Sequence, residues 1–135
     1  MNLSVSAVLL YSVVGAVILV YAPFFVVGLA RAKVGYDTSA PRGMFDRLPP
    51  YGQRATWAHQ NGFEALIIYT AAALMAYVTG VDSDWAKIAA IAFLVARSFY
   101  SVFYILDLPI LRSLMFAVGS LCGWTLFALS LLKIN

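Results

Sequence analysis

The sequence predicts an all-α integral membrane protein, an up-down bundle of four transmembrane helices forming one domain over residues 1–135. Three observations predict it. Hydrophobic residues make up 63% of the chain and charged residues 11%, against about 45–50% and about 25% in a soluble domain. The apolar residues gather in four runs, each long enough for the roughly 20 residues that cross a hydrocarbon core. The last two connections are short, which makes sequential helices antiparallel neighbours.

The same arithmetic excludes several classes. A soluble globule needs more polar surface than this. One cysteine forms no internal disulfide. Nine Lys and Arg against six Asp and Glu are too sparse for a nucleic-acid face.

The first 30 residues carry no charge, and a span is expected over 4–30 with a kink at Pro23. The run lacks a basic start and is too long for a signal core, so it reads as a span rather than a cleaved leader. A polar connection follows over 31–53 and closes on Pro49-Pro50. The second span is expected over 54–79. Gly80-Val81-Asp82-Ser83 reads as a tight turn, with Ser83 or Asp84 capping the third span, 84–106. Asp107-Leu108-Pro109 breaks the chain and opens the fourth span, 109–132.

Basic residues set the orientation. Arg31, Lys33, Arg42, Arg47, Arg54 and Arg112 lie on the side of connections one and three, and only Lys87 and Lys133 lie opposite. The positive-inside rule places connections one and three in the cytoplasm.

The ninth basic residue, Arg97, falls inside a span, as does Glu64. Ionisable groups there are costly and mark functional sites by default. Glu64 lies ten residues past Arg54, and Arg97 ten before Asp107. Both sit roughly 15 Å deep from the same side, at 1.5 Å per residue. They are expected to pair, directly or through a ligand. Asn61 precedes Glu64 by three residues, on the same helix face, and Arg54 lies a heptad earlier. Tyr100, Ser101 and Tyr104 extend the face of Arg97. Arg112 sits near the positive end of the fourth helix. Together these predict a polar cleft between helices two, three and four, suited to an anionic polar ligand, with the bilayer supplying an apolar co-substrate. A Glu–Arg pair also locks helix register, and a tyrosine stripe also serves packing. Both readings stand at this level.

His59 lies two residues from Asn61, about 200° around a helix, and reads as an interfacial polar residue. Trp57, Trp85 and Trp124 read as packing or interface residues, and Cys122 as an inert mid-span thiol. One His and one Cys give no His/Cys metal site, so no metal is expected.

Several of these residues resemble the MAPEG family, the membrane-associated proteins of eicosanoid and glutathione metabolism. Ala58-His59-Gln60-Asn61-Gly62-Phe63-Glu64 resembles the family's second-helix signature. Arg97, Tyr100 and Tyr104 resemble its third-helix spacing, and Pro109-Ile110-Leu111-Arg112-Ser113 the segment carrying its catalytic Arg. Pro41-Arg42 is similar to its basic loop.

The resemblance implies a homotrimer with sites between subunits and glutathione as co-substrate. Asn61, Glu64, Arg97, Tyr100 and Tyr104 would hold the tripeptide. Arg31 or Lys33 of a neighbouring subunit would add a contact, and Arg54 would partly replace the Arg that eicosanoid enzymes carry where this chain has Trp57 and Gln60. Arg112 would stabilise the thiolate, with Ser113 assisting. The implied function is a glutathione transferase or peroxidase acting on a lipophilic electrophile or lipid hydroperoxide. The compact loops resemble bacterial members, which implies a bacterial inner membrane.

The alternative is a non-catalytic trimeric subunit or lipid-binding scaffold of the same fold. A four-span proton-coupled exporter needs an acid in the first span, and none precedes Asp37.

Overall fold

The computed structural model describes residues 3–135. It contains four long helices, α1 (Val5–Lys33), α2 (Pro50–Val78), α3 (Asp84–Ile105) and α4 (Pro109–Ile134), and one short 3-10 helix, Pro41–Arg47. No strand occurs among the described residues. All four long helices are long and apolar enough to cross a membrane.

Local chemistry sets each end. Ser4 is the N-cap of α1 and accepts a hydrogen bond from the Ala7 amide at 3.2 Å. The helix runs unbroken through Pro23 to Lys33, three residues past the expected end. Arg31 and Lys33 lie in its last turn, where cations favour the carbonyl end of the dipole. α2 begins at Pro50, four residues before the expected Arg54. Proline suits a first helical turn because its missing N–H had no partner there. Ser83 caps α3 and accepts from the Trp85 amide at 3.3 Å. α4 again starts on a proline, Pro109, and runs two residues past Leu132.

The first connection is ordered rather than a plain polar stretch. The Asp37 Oδ1 accepts from the Ser39 and Ala40 amides at 2.9 and 3.2 Å. Arg47 Nη2 donates to the Val34 carbonyl at 3.2 Å, and Gln53 Nε2 to the Phe45 carbonyl at 3.4 Å. Met44 and Leu48 are buried beneath this strap.

α1 packs on α2 and α3, α4 packs on α3 and α2, and α2 meets α3 across the middle. Small residues bring the helices close, as membrane bundles require where lipid offers no hydrophobic drive for association. Gly52, Ala55, Ala58, Gly62, Ala72 and Ala76 are all buried on α2. Buried hydroxyls find partners within the bundle. Ser12 Oγ donates to the Leu9 carbonyl at 2.7 Å, which leaves the Tyr69 hydroxyl as donor to Ser12 at 2.6 Å. Tyr69 in turn lies flat on Phe93, ring centroids 3.6 Å apart.

His59 is part of the α1–α2 contact rather than a plain interfacial residue. Its Nδ1 lies 2.7 Å from the Val20 carbonyl, three residues before Pro23.

A Cβ on Gly52 would lie 2.7 Å from the Ala30 Cβ, whereas one on Gly28 would meet nothing within 4 Å. Gly52→Ala is therefore expected to destabilise the protein by about 1–3 kcal/mol through overpacking. Gly28→Ala is expected to be neutral or to stabilise by about 0.5–1 kcal/mol, the helix-interior penalty of glycine. Thermal unfolding in detergent distinguishes the two.

Candidate functional site

The two mid-span charges meet through an amide rather than directly. Arg97 Nη2 donates to Asn61 Oδ1 at 3.0 Å, and Asn61 Nδ2 donates to Glu64 Oε2 at 3.2 Å. An amide does this because it offers an acceptor on one side and a donor on the other. Asn61 and Glu64 sit three residues apart on α2, so one helix face presents both. Arg97 is 6% exposed, on the buried face of α3. Gly119 of α4 lies against its stem, where an added Cβ would make an ordinary van der Waals contact with the Arg97 Cδ at 3.5 Å.

From Arg97 a stack of cations and rings leads toward the α3–α4 corner. The Arg97 guanidinium lies 4.1 Å from the Tyr100 ring centroid. Tyr100 meets Tyr104 edge to face at 5.6 Å. The Arg112 guanidinium lies 4.6 Å from the Tyr104 centroid. The spacing of three and four residues on α3 puts both tyrosines on the face of Arg97, and Pro109 starts α4 close enough to bring Arg112 over the second ring. These contacts are cation–π attractions, stronger where water is excluded.

Beside this polar line lies a cavity of about 160 Å³ between α2, α3 and α4. Asn61, Glu64 and Arg97 line it. Further along the helices, away from Arg112, the lining turns apolar with Ile68 and Trp124, while Phe116, one turn from Arg112, packs on Tyr100 at the charged end. Those three side chains are exposed, so the cavity opens at the surface of the protomer. One space thus joins a charged end to a greasy end, an arrangement that holds a polar molecule against an apolar one.

The remaining expected site residues lie elsewhere. Arg54 turns away from Asn61. Its Nε donates to the Ile105 carbonyl at 3.1 Å and its Nη1 lies 3.6 Å from Asp107 Oδ2. A guanidinium so engaged closes the end of α3 and does not join the Asn61–Arg97 group. Arg31 sits at the far end of α1, 8% exposed, 5.7 Å from the Phe24 ring centroid. Its Nε has no hydrogen-bond partner among the described residues. Lys33 lies 5.6 Å from the Tyr51 ring centroid. Ser113 is exposed and makes no side-chain hydrogen bond among the described residues.

Of two further contributors, sequence reasoning gave Trp57 its packing role but not its partners, and missed Asp107. Trp57 fills the space between Phe45 and Tyr104, at centroid distances of 5.5 and 6.5 Å, and so links the first connection to the tyrosine stack. Its position one turn before Asn61 was the available signal. Asp107 read only as a chain breaker, because its ion pair with Arg54 spans 53 positions in sequence and leaves no periodic trace.

Fold and cleft together define an integral membrane protein of four spanning helices, with a charged cleft between α2, α3 and α4 that opens at the protomer surface. The sequence model of one family matches residues 8–132: the chain belongs to the MAPEG family, membrane-associated proteins of eicosanoid and glutathione metabolism. No curated protein and no solved structure matches it significantly.

Replacing Asn61 by Leu leaves the Arg97 guanidinium buried without its acceptor. Asn61→Leu is expected to cost about 3 kcal/mol in an otherwise unaltered protein, within the range for a broken buried charged contact. In an Arg97→Met background the same change is expected to cost under about 1 kcal/mol. Thermal unfolding of the four proteins measures this coupling.

Proposed function

We propose that the protein binds glutathione in the cleft between α2, α3 and α4 and activates its thiol for reaction with a lipophilic electrophile or lipid hydroperoxide. The observation that carries this reading is the unbroken line from Arg112 through Tyr104, Tyr100, Arg97 and Asn61 to Glu64, lying beside a cavity that is polar at one end and apolar at the other. Glutathione carries two carboxylates and one ammonium. Arg97 complements a carboxylate and Glu64 the ammonium, which leaves Arg112 for the thiol.

In the proposed reaction Arg112 faces the thiol. A free thiol has a pKa near about 8.5 and is mostly protonated at neutral pH. A guanidinium within the first turn of a helix favours the thiolate, and the released proton passes to water at the mouth of the cleft. Arg112 is partly exposed and has no carboxylate partner among the described residues, so its charge is available. The thiolate then attacks the electrophile that enters laterally from the bilayer. A carbon–sulfur bond forms as the electrophile's leaving group departs or its double bond takes up a proton. With a hydroperoxide, the thiolate sulfur takes the outer oxygen, an alcohol leaves, and a second glutathione closes the disulfide with loss of water.

The working unit in this proposal is a homotrimer. Glu64 is exposed on the single protomer although it lies mid-span. A carboxylate facing hydrocarbon is costly, and a second copy covering that face removes the cost. Arg31 of a neighbouring subunit is then a further contact for the tripeptide. The excess of basic residues on that side supports a cytoplasmic cleft mouth, and the bacterial inner membrane is proposed from the likeness of the compact loops to bacterial members.

With the detergent-purified protein, glutathione is expected to bind saturably and to show thiolate absorbance near neutral pH. Arg112→Ala is expected to lose that absorbance while still binding glutathione. Glu64→Gln is expected to weaken binding by about tenfold, the equivalent of one charged hydrogen bond. Absence of binding at millimolar glutathione would instead support a lipid-binding scaffold of the same fold.

A further inference from the structure

The corner between α3 and α4 is built at a conformational cost that the corner between α2 and α3 avoids. Both helices end in the same hydrogen-bonded motif. After α2, the Gly80 amide bonds to the Tyr77 carbonyl and the Val81 amide to the Ala76 carbonyl. After α3, the Asp107 amide bonds to the Tyr104 carbonyl and the Leu108 amide to the Phe103 carbonyl. This double closure requires a left-handed residue at its centre, the position where glycine is favoured. Gly80 takes it at φ 68°. Asp107 takes it at φ 61°, the only non-glycine residue with positive φ among the described residues.

A strained residue kept where glycine would serve points to a task for its side chain. That side chain holds Arg54, whose Nε also donates to the Ile105 carbonyl. Arg54 thereby clasps the corner at two points, one on each side of Leu106. The same backbone stretch carries both halves of the Arg112 contact. Tyr104, which lies under the guanidinium, supplies the carbonyl that receives the Asp107 amide. Leu108, next to Asp107, supplies the carbonyl that receives the Arg112 amide at 2.9 Å.

We infer that Asp107 and Arg54 are positioning residues that fix the α3–α4 corner so that Arg112 stays stacked on Tyr104, where it faces the reacting thiol. The inference rests on the thiol-activating reading of the cleft. It assigns Arg54 to the corner and not to the ligand, and it gives the exposed Asp107 carboxylate a function that its distance from the cavity conceals.

The decisive variant is Asp107→Gly, because fold and function are expected to move in opposite directions. Glycine removes the left-handed penalty, so the melting temperature is expected to hold or rise. The clasp is lost, so the pKa of bound glutathione is expected to rise by about one unit, a tenfold loss of thiolate below that pKa. Glutathione affinity measured well below the thiol pKa is expected to change less than about threefold. Asp107→Asn tolerates the same backbone but lacks the charge, and Arg54→Gln lacks the partner. Both are expected to match Asp107→Gly, and the Arg54→Gln, Asp107→Gly double variant is expected to add nothing further.

A second reading needs no glutathione. The Arg112 side chain is expected to show an upfield ring-current shift in nuclear magnetic resonance spectra of the protein in detergent. That shift is expected to shrink in all three single variants. An unchanged thiol pKa in Asp107→Gly and Asp107→Asn, with thiolate still lost in Arg112→Ala, would overturn the positioning role and leave the proposed activity intact. If glutathione forms no thiolate in the unaltered protein, the proposed activity falls. The ring-current shift then decides the clasp alone, and its persistence in Asp107→Gly would overturn it.

Discussion

The structure depends on one constraint: a guanidinium lies inside a membrane span and must be satisfied there. A charged side chain at that depth is costly unless it is paired or hydrogen-bonded within the bundle. Arg97 is satisfied by three different chemistries. The Asn61 amide accepts from it, the Tyr100 ring lies against its charge, and Gly119 packs against its aliphatic stem. Each partner comes from a different helix, so satisfying Arg97 fixes α2, α3 and α4 relative to one another. The cavity is the space left over when those helices are held at this separation.

The rest of the bundle follows from a second demand of the bilayer, that backbone groups find partners inside the protein. Helix interiors meet it automatically, and ends do not. Prolines at the starts of α2 and α4 remove donors that would have been orphaned. The doubly closed ends of α2 and α3 satisfy the trailing carbonyls, and Arg54 adds a bond to Ile105. Hydroxyls of Ser98, Thr125 and Ser130 bond to carbonyls four residues back in their own helices, so these polar residues burden no neighbour.

These two demands explain what the sequence disclosed. Four spans were legible because hydropathy averages over many residues and the bilayer tolerates few exceptions. The depth match of Glu64 and Arg97 was legible because 1.5 Å per residue is a reliable ruler in a helix. The Arg97, Tyr100, Tyr104 stripe was legible from its spacing. What escaped was contact between distant positions. Nothing local to Asn61 shows that its amide stands between the two charges. Arg54 shares a heptad position with Asn61 yet turns to the α3–α4 corner, because Asp107 and the Ile105 carbonyl compete for it. The ordered strap over 41–47 was missed because its hydrogen bonds run to backbone and depend on single side chains such as Asp37, not on a repeating pattern.

The balance of charge around the cleft bears on what it accepts. Arg54 is matched by Asp107, and Arg97 is linked to Glu64 through Asn61. Arg112 has only a ring beneath it. Beside the tyrosine stack the cleft therefore presents Arg112, which has no carboxylate partner among the described residues, and the exposed Glu64 carboxylate at mid-depth, separated by two tyrosines. A small zwitterion with excess negative charge answers both at once, its anionic portions toward the arginines and its ammonium toward Glu64. An ordinary lipid tail answers neither, and fits only the apolar end. In the proposed function this order of polarity lets two different occupants meet inside one cleft, the charged one beside Arg97 and the carboxylate of α2.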